Sequence, residues 1–394
     1  MWHRLVSNKL LRRSSGTGCF VADFPATEEF IKVTSSNPPA SSNTSSTTQE
    51  STINYNLFVS TWNVGGMPPS DELNLEDWLE TRGNSYDIYV LGFQEIIPLS
   101  AKNVLCAEKN RIASKWNSLI RTALNKPIVN LQGNGDPSLG EKQKIYPDKV
   151  GGSSKGSITQ DFQCLLSKQM VGIHISVWVR SDLLCHIRHS SVSCIGCGVM
   201  GFLGNKGAVS VRFCLHETSF CFVCSHLASG GKEGDEMHRN SDAMEIFSRT
   251  SFPSGPCLDL PQKILDHDRI LLLGDLNYRI SLSDEETRSL VEQKEWNILL
   301  ENDQLKMEVY KGRVFEGWQE GAITFSPTYK YYPNSDEYYR HGQGRKGEKR
   351  RSPAWCDRIL WHGKGFKQNR YDRCESRLSD HRPVRAIFTV EVEV

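Results

Sequence analysis

The stretch RILLLGDLN, residues 269–277, is an apolar run that ends in an acid and an amide. Uninterrupted apolar residues from 270 to 273 are typical of a strand that is buried on both faces. Asp275 and Asn277 are two residues apart, so they lie on the same side of an extended chain. Because α/β enzymes assemble their sites outside the ends of buried strands, this stretch predicts an α/β protein with functional residues at this strand end.

Other strand-like runs in the chain end in the same way. The run LFVSTWN (57–63) ends at Asn63, YDIYVLGFQE (86–95) ends at Gln94 and Glu95, CFVCSH (221–226) ends at His226, and SDH (379–381) supplies Asp380 and His381. One acid or histidine after a strand is usually structural, but their joint occurrence favours a common site. Glu95 and Asp275 follow apolar runs, where an unpaired charge is costly, so we expect compensating groups beside them.

The chemistry of this set favours a hard cation. It is rich in carboxylate and amide oxygens, and it has no Cys or His pair in chelating spacing, which favours Mg²⁺ over zinc. The candidate reaction is metal-assisted hydrolysis of a phosphate ester, in which a carboxylate activates water and a cationic histidine stabilises the phosphoryl oxygens. No Gly-x₄-Gly-Lys-Ser/Thr loop is present, which argues against a P-loop NTPase.

Composition excludes several classes of protein. The 394 residues contain 47 Lys and Arg against 46 Asp and Glu, so the net charge of +1 does not favour a nucleic-acid binder. No apolar run approaches the roughly 18 to 20 residues that a membrane span needs. The N-terminus is basic but has no apolar signal-peptide region, so we expect a cytoplasmic protein. Two Cys-x-x-Cys pairs (194/197 and 221/224) suggest a structural zinc site. Residues 221 and 224 lie in a predicted strand, where they would point to opposite faces and could not bind one ion, so we expect buried reduced thiols instead.

The chain divides into two regions. Residues 34–52 are mostly Ser, Thr, Asn and Pro, so residues 1–52 are predicted to be a disordered N-terminal region with a linker, and 53–394 to be the folded catalytic domain. Strands are predicted over 86–93, 170–180, 208–214, 220–224, 269–273 and 386–392, and helices over 105–124, 234–250 and 283–300. Residues 132–156 read as a long surface loop, and 340–351 form a basic run.

Several motifs carry a resemblance to a known family. They are STWNVGG (60–66), LGFQEIIPL (91–99), SKQMVGI (167–173), GFLGNKGAV (201–209), SHLASG (225–230), GDLNYR (274–279), FSPTYKY (325–331), PAWCDRILW (353–361) and SDHRPV (379–384). Together, over about residues 53–392, they resemble the inositol polyphosphate 5-phosphatases of the endonuclease/exonuclease/phosphatase superfamily, with plant, type I-like members the most similar. GDLNYR followed by PAWCDRIL is specific to that family, whereas the SDH ending is shared across the superfamily.

The resemblance implies a fold and an activity. The fold is a four-layer α/β sandwich with two central mixed β-sheets, like DNase I, and one Mg²⁺-dependent site at their edge. The activity is removal of the 5-phosphate from inositol 1,4,5-trisphosphate, inositol 1,3,4,5-tetrakisphosphate or phosphatidylinositol 4,5-bisphosphate, which terminates phosphoinositide signalling.

The resemblance also implies a role for each matching residue. Glu95 is the main Mg²⁺ ligand, assisted by Asn63 and Gln94; Asp275 orients or activates water with Asn277; His381 binds the scissile phosphate and is oriented by Asp357; Asp380 completes the metal and water network; His226 lies on the phosphate side; and Lys206 belongs to the substrate-binding set. Tyr329, Lys330, Lys349 and Arg351 match the family's cradle for the neighbouring 4-phosphate, which we call the 4-phosphate cradle.

Two other functions compete with this interpretation. A nuclease or phosphodiesterase of the same superfamily would use the same chemistry, but it needs a broad cationic surface. A catalytically inactive phosphoinositide-binding module is disfavoured because every matched catalytic position holds the expected residue type. We therefore expect inositol polyphosphates or phosphoinositide headgroups as partners, no nucleic acid, and a monomer. The basic N-terminus could add peripheral contact with the plasma membrane, and a nuclear location is left open.

Overall fold

Twelve strands make up the two β-sheets of the computed structural model, which describes residues 51–82, 86–98, 110–126, 161–198, 204–254, 259–340 and 351–394. In chain order they are β1 (Thr52–Asn63), β2 (Ile88–Gln94), β3 (Phe162–Met170), β4 (Ile173–Arg180), β5 (Ile187–Gly196), β6 (Gly207–Leu215), β7 (Thr218–His226), β8 (Arg269–Asp275), β9 (Gln319–Glu320), β10 (Asp357–His362), β11 (Phe366–Arg373) and β12 (Val384–Glu393).

Helices connect or cover these strands. The α-helices are α1 (Glu76–Leu79), α2 (Asn110–Leu124), α3 (Asp235–Arg249), α4 (Asp284–Gln293), α5 (Trp296–Glu301) and α6 (Gln304–Tyr310), and short 3₁₀ helices span Ser181–His186 and Ile264–Asp266. In the part of the chain that the structure describes, no helix is long and apolar enough to span a membrane.

Each sheet has six strands, and its two central strands are parallel. The first sheet has the order β11-β12-β1-β2-β4-β3, and the second has the order β5-β6-β7-β8-β10-β9. Strands β1 and β2 are parallel, which places Asn63 level with Gln94, and β7 and β8 are parallel, which places His226 level with Asp275. Strand β10 runs antiparallel to β8, so Asp357 begins where Asp275 ends. The polar ends of these strands therefore lie at one edge of the two sheets.

The sheets pack face to face, and helices cover their outer faces. Alternation in β4 shows the layering, since Val177 points into the core between the sheets while Trp178 points into the outer core of the first sheet. Trp116 of α2 packs in that outer core, and Ile246 of α3 packs in the outer core of the second sheet. This helix–sheet–sheet–helix order is the predicted four-layer sandwich of the DNase I-like fold.

Several predicted elements are confirmed and two change. The predicted helix over 234–250 is α3, but the one over 283–300 is two helices, because Lys294 adopts a left-handed conformation (φ 60°) that ends α4. The predicted strand over 170–180 is the end of β3, a turn at Val171 (φ 52°), and all of β4. Strands β5, β9, β10 and β11, and all but the last residue of β3, were not predicted.

The second Cys-x-x-Cys pair has the predicted geometry. Cys221 and Cys224 lie on opposite faces of β7, one in the outer core and the other between the sheets. None of the described cysteines forms a disulfide bond. The N-terminal region up to residue 50, the predicted loop over 132–156 and Lys349 lie outside the described residues.

Candidate active site

A cavity of about 1190 Å³ opens at the edge where the polar strand ends meet. Side chains from both sheets line it, and most of the predicted site residues are among them: Asn63, Glu95, Lys206, His226, Asp275, Asn277, Tyr329, Lys330, Arg351, Asp380 and His381. The cavity therefore gathers residues that are more than 300 positions apart in the chain.

Asp275 lies at the centre of this group and is buried. Asn63 Nδ2 donates a hydrogen bond to Asp275 Oδ2 at 2.9 Å, and His226 Nε2 lies 3.3 Å from the same oxygen. His381 Nε2 lies 4.0 Å from it. Burial alone would raise the pKa of Asp275, but hydrogen bonding with His226 and the positive charges of His381 and Lys206 hold it well below its usual range. Asp275 is therefore ionised at neutral pH and can accept a proton or a hydrogen bond from water.

His381 is fixed by a buried carboxylate on its other side. Its Nδ1 donates a hydrogen bond to Asp357 Oδ2 at 2.9 Å, and Thr328 Oγ1 donates to the same oxygen at 2.6 Å. Burial opposes the charged imidazole, but Asp357 and then Asp275 and Asp380 outweigh it and raise the pKa of His381 to about 9. His381 is therefore cationic at neutral pH, with Nε2 turned toward the cavity centre.

For two other basic side chains, Lys206 and His226, the net pKa shift is downward, because burial outweighs the nearby carboxylates. Burial and the charge of Lys206 lower the pKa of His226, which favours the neutral imidazole. Burial lowers the pKa of Lys206 to about 8, although Asp275 and Glu95 favour its charge. Lys206 Nζ contacts His226 Nε2 directly. This side of the cavity therefore combines one neutral imidazole with an ammonium group that is easily deprotonated.

The residues predicted to hold Mg²⁺ fit a hard cation. Glu95 has a left-handed backbone (φ 51°), which turns its carboxylate into the cavity, where it is 31% exposed and 3.9 Å from His226 Nε2. Within the described ranges, no arginine or lysine lies within 4.0 Å of this carboxylate. Asn63 lines the same cavity, and its amide oxygen accepts a hydrogen bond from the Gly65 N–H at 2.9 Å. An uncompensated carboxylate and an amide oxygen in one polar cavity form a donor set suited to Mg²⁺.

Gln94 does not reach this donor set, and its prediction as a metal ligand does not fit its position. Its side chain is buried between the sheets, where Nε2 donates to Thr61 Oγ1 at 3.1 Å and to Cys224 Sγ at 3.3 Å. β2 ends at Gln94, and the left-handed backbone at Glu95 turns the next side chain away from the core. We therefore leave Gln94 out of the proposed metal ligands.

Asp380 lies in the cavity but is paired with a predicted substrate-binding residue. Lys330 Nζ donates to Asp380 Oδ2 at 2.5 Å. Burial opposes ionisation, but His381 and Lys330 lower the pKa of Asp380 below its usual value. Asp380 also lies close to Gly65, where an added Cβ would be 3.0 Å from Oδ1. Asp380 therefore connects Lys330 with the loop that follows Asn63.

The described members of the 4-phosphate cradle lie together on one wall. Arg351 Nη1 donates a hydrogen bond to Tyr329 Oη at 2.8 Å. Lys330 Nζ lies 5.7 Å from the ring centroid of Tyr329 and 5.7 Å from that of Tyr339. This wall brings two positive charges and a hydroxyl group to the same side of the cavity as His381, which suits a second anionic group next to the reacting one.

Two residues of the site were not predicted from the sequence. Arg279 lines the cavity and bonds to Asn277, and its signal is its position two residues after Asn277, on the same side of the chain. Thr328 supports Asp357 from a different segment, and no local pattern distinguishes it from any buried threonine.

Comparison with known proteins decides the family. The model of Endonuclease/Exonuclease/phosphatase family 2 matches residues 60–387. Type IV inositol polyphosphate 5-phosphatase 9 of Arabidopsis thaliana is 58% identical over 397 residues, which cover 100% of this chain and 92% of that protein. This chain belongs to the inositol polyphosphate 5-phosphatase family. Type I inositol polyphosphate 5-phosphatase 8 of the same plant is 51% identical over 348 residues. This match covers 87% of this 5-phosphatase and 72% of that protein.

A solved structure supports the same assignment. The inositol polyphosphate 5-phosphatase domain of spsynaptojanin, in complex with inositol 1,4-bisphosphate and a calcium ion, is 30% identical to this 5-phosphatase with a TM-score of 0.68. The match covers 87% of this chain and 86% of that domain. The predicted family, fold and enzyme class are therefore confirmed. The relatives include both type I and type IV members, so they do not favour the type I-like interpretation over the other.

Proposed function

We propose that this 5-phosphatase uses Mg²⁺ to remove the 5-phosphate from inositol polyphosphates or phosphoinositides that also carry a 4-phosphate. The observation that carries the proposal is that one cavity holds Asp275, His381 and the Glu95 carboxylate, with Tyr329 of the 4-phosphate cradle packed against His381. The ligand of the spsynaptojanin domain supports it, since inositol 1,4-bisphosphate is what remains when inositol 1,4,5-trisphosphate loses its 5-phosphate.

Asp275 is suited to act on the attacking water. Its carboxylate is ionised, and the hydrogen bond from Asn63 fixes Oδ2 while the Asn277 N–H donates to Oδ1 at 3.1 Å. A carboxylate held at both oxygens needs little reorganisation when it orients water or takes its proton. Glu95 and Asn63 would hold the Mg²⁺, and when bound this ion would polarise a phosphoryl oxygen.

His381 is suited to stabilise the negative charge of the phosphoryl group. The protonated imidazole can donate Nε2–H to a phosphoryl oxygen, because Asp357 holds Nδ1–H and fixes the ring. Lys206 supplies a second positive charge on the opposite side of Asp275. The reacting phosphate would therefore lie between two cationic groups, with the water held by Asp275.

The 4-phosphate cradle selects substrates with adjacent phosphates. Lys330 and Arg351 give charge-assisted contacts that a single phosphate would leave unused. Inositol 1,4,5-trisphosphate, inositol 1,3,4,5-tetrakisphosphate and phosphatidylinositol 4,5-bisphosphate all present this pair of phosphates. A nucleic-acid backbone does not, which disfavours the nuclease alternative. An inactive binding module is disfavoured because Asp275, His381 and Asp357 are arranged for chemistry.

Phosphate release from purified full-length protein tests the proposal. Each of the three substrates would be supplied with Mg²⁺ or with EDTA, the lipid in vesicles, and the product from inositol 1,4,5-trisphosphate identified by ion chromatography. We expect Mg²⁺-dependent release that yields inositol 1,4-bisphosphate, and an Asp275→Asn variant reduced by at least about 100-fold. Binding without release, or preferential cleavage of DNA, would return one of the two alternatives to first place.

Location and assembly form part of the same proposal. We propose a cytoplasmic monomer that acts on soluble or membrane-borne headgroups without a nucleic-acid partner, with peripheral contact at the plasma membrane. The supporting observations are the near-neutral net charge of the chain and the basic residues of its N-terminal region. Size-exclusion chromatography with light scattering and vesicle sedimentation would test these two points.

A further inference from the structure

Arg279 contacts both the strand end that carries Asp275 and the 4-phosphate cradle. On one side its Nη2 donates to Asn277 Oδ1 at 2.6 Å, and its Nε donates to the Asn277 carbonyl at 3.1 Å. On the other side its Cζ lies 4.4 Å from the centroid of the Tyr329 ring, within the range of a cation–π contact. Asn277 belongs to the strand end that carries Asp275, and Tyr329 belongs to the 4-phosphate cradle.

Arg279 has no direct ion pair with a carboxylate among the described residues, and Asp275 acts on its charge only from a longer distance. Among the residues that the structure describes, no Asp or Glu oxygen lies within 4.0 Å of its guanidinium, whose contacts are an amide, a carbonyl and an aromatic ring. Lys330, by contrast, is paired with Asp380. An arginine that lines a polar cavity without a counter-ion is available to organise neighbours or an incoming anion.

The backbone of Arg279 is held rigidly from behind. Its N–H donates to Gln304 Oε1 at 2.8 Å, and the Gln304 N–H donates back to the Arg279 carbonyl at 2.9 Å. Gln304 Oε1 also accepts a hydrogen bond from Arg239 Nη2 at 2.7 Å, which fixes the amide. A side chain mounted in this way keeps its direction before substrate binds.

Tyr329 connects Arg279 with the reaction centre, because its ring also packs against His381. Its ring centroid lies 4.6 Å from that of His381, while its hydroxyl accepts the hydrogen bond from Arg351. The ring therefore packs against Arg279 and the imidazole that faces the reacting phosphate. A shift of Tyr329 would move the wall of the cradle and the support of His381 together.

We propose that Arg279 is a positioning residue that couples the 4-phosphate cradle to the reaction centre. Through this coupling, binding of the 4-phosphate raises kcat as well as lowering KM. This role rests on the proposed function, since it concerns the same cavity and the same substrates. It depends on the planar, forked guanidinium, because a lysine ammonium can keep the charge but cannot stack on Tyr329 and bond twice to Asn277.

The test compares Arg279→Lys and Arg279→Met with matched substitutions at Arg188. Arg188 is an exposed arginine of β5 whose guanidinium bonds to Glu217, outside the cavity. Steady-state kinetics would be measured on inositol 1,4,5-trisphosphate and on inositol 1,5-bisphosphate, which lacks the 4-phosphate. We expect Arg279→Lys to lower kcat on the trisphosphate by about tenfold or more, with KM changed by less than about threefold. The preference in kcat/KM for the trisphosphate should fall at least about fivefold, while Arg188→Lys leaves both values unchanged.

The outcomes are separable. If Arg279→Lys behaves as the wild type, charge alone suffices and the positioning role is overturned. Equal losses on both substrates, with the preference intact, also overturn it, because coupling to the cradle would be absent. Arg279→Met adds the loss of charge, and if it fails to fold, the Arg279→Lys result still decides. A wild-type protein that releases no phosphate from the trisphosphate would instead overturn the proposed function.

Discussion

His381 Nδ1 donates a hydrogen bond to Asp357 Oδ2 at 2.9 Å, and both side chains are buried. This pair determines the protonation state of the imidazole that faces the reacting phosphate. Burial favours neutral His381, but the carboxylates of Asp357, Asp275 and Asp380 outweigh it and raise its pKa to about 9.

The first prediction is a loss of activity at alkaline pH. Protonated His381 and charged Lys206 are the active forms, so kcat should be steady through neutral pH and fall as pH rises through about 8 and then about 9. Asp357→Asn removes the largest favourable charge, so its alkaline limb should move to lower pH and its kcat should fall at least about tenfold. A pH–rate profile for both proteins measures this. An unchanged limb in Asp357→Asn would separate the pair from catalysis, and Glu217→Gln, an exposed carboxylate outside the cavity, is the control.

The second prediction concerns the metal requirement. Glu95→Gln keeps the size of the side chain but removes the charge that a hard cation needs. We expect half-saturation to shift to higher Mg²⁺ by about tenfold or more, with much of the activity recovered at saturating metal. Titration of phosphate release with Mg²⁺ measures it. Gln94→Met is the matched control, because the Gln94 side chain is buried away from the cavity, and a shifted metal requirement there would restore Gln94 as a ligand.

The third prediction tests the 4-phosphate cradle. Lys330→Ala and Arg351→Ala each remove a charge-assisted contact, typically worth roughly 1.5 to 3 kcal/mol, so kcat/KM on inositol 1,4,5-trisphosphate should fall about tenfold to a hundredfold. The loss on inositol 1,5-bisphosphate should be much smaller, since the cation has no 4-phosphate to bind. Comparable losses on the two substrates would show that these residues act on the scissile group or on folding.

The fourth prediction concerns a buried ion-pair network behind the site. Arg358, next to Asp357, is fully buried and bonds to Asp303 at 3.0 Å and to Glu320 at 2.5 Å. Arg358→Met leaves two carboxylates without their shared partner, and breaking such a pair costs about 3 to 5 kcal/mol of unfolding free energy. Urea denaturation measures the change. Arg340→Met, which removes an exposed ion pair with Glu292, should stay within about 1 kcal/mol of the wild type.

The fifth prediction concerns the N-terminal region. Strand β1 begins at Thr52, and the Val394 N–H donates to the Ser51 carbonyl at 3.0 Å, so the first and last described residues are bonded to each other. Deletion of residues 1–50, whose last part is rich in Ser, Thr and Asn, should leave Tm and the rate on soluble substrate nearly unchanged. A large drop in Tm would mean that this region docks on the domain.

Sequence patterns predicted the site well where a polar residue follows a buried strand. Asn63, Glu95 and Asp275 were found in this way, and the structure brings all three to one cavity. Gln94 failed because β2 is buried on both faces, so its pattern does not show which of two adjacent polar residues leaves the core. Thr328 could not be found, since its role depends on a contact with Asp357, 29 positions away.

The fold was predicted in its class but not in its outer strands. Strands β5 and β11 carry many exposed polar residues, so they lack the apolar runs by which β8 and β12 were recognised. The break between α4 and α5 was missed because Lys294 is an ordinary helix former, and its left-handed conformation arises from packing and capping rather than from intrinsic preference.

The two hydrogen bonds at the heart of the site cross from one sheet to the other. Asn63 ends a strand of the first sheet and Asp275 a strand of the second, while His381 precedes β12 and Asp357 begins β10. Neither half of the molecule holds a working catalytic centre by itself. Any motion that separates the two sheets breaks these hydrogen bonds and stops turnover while the individual strands are still folded. A substrate that contacts residues of both sheets opposes this separation by mass action. Loss of catalytic activity should therefore be detectable before loss of secondary structure when the two sheets begin to separate.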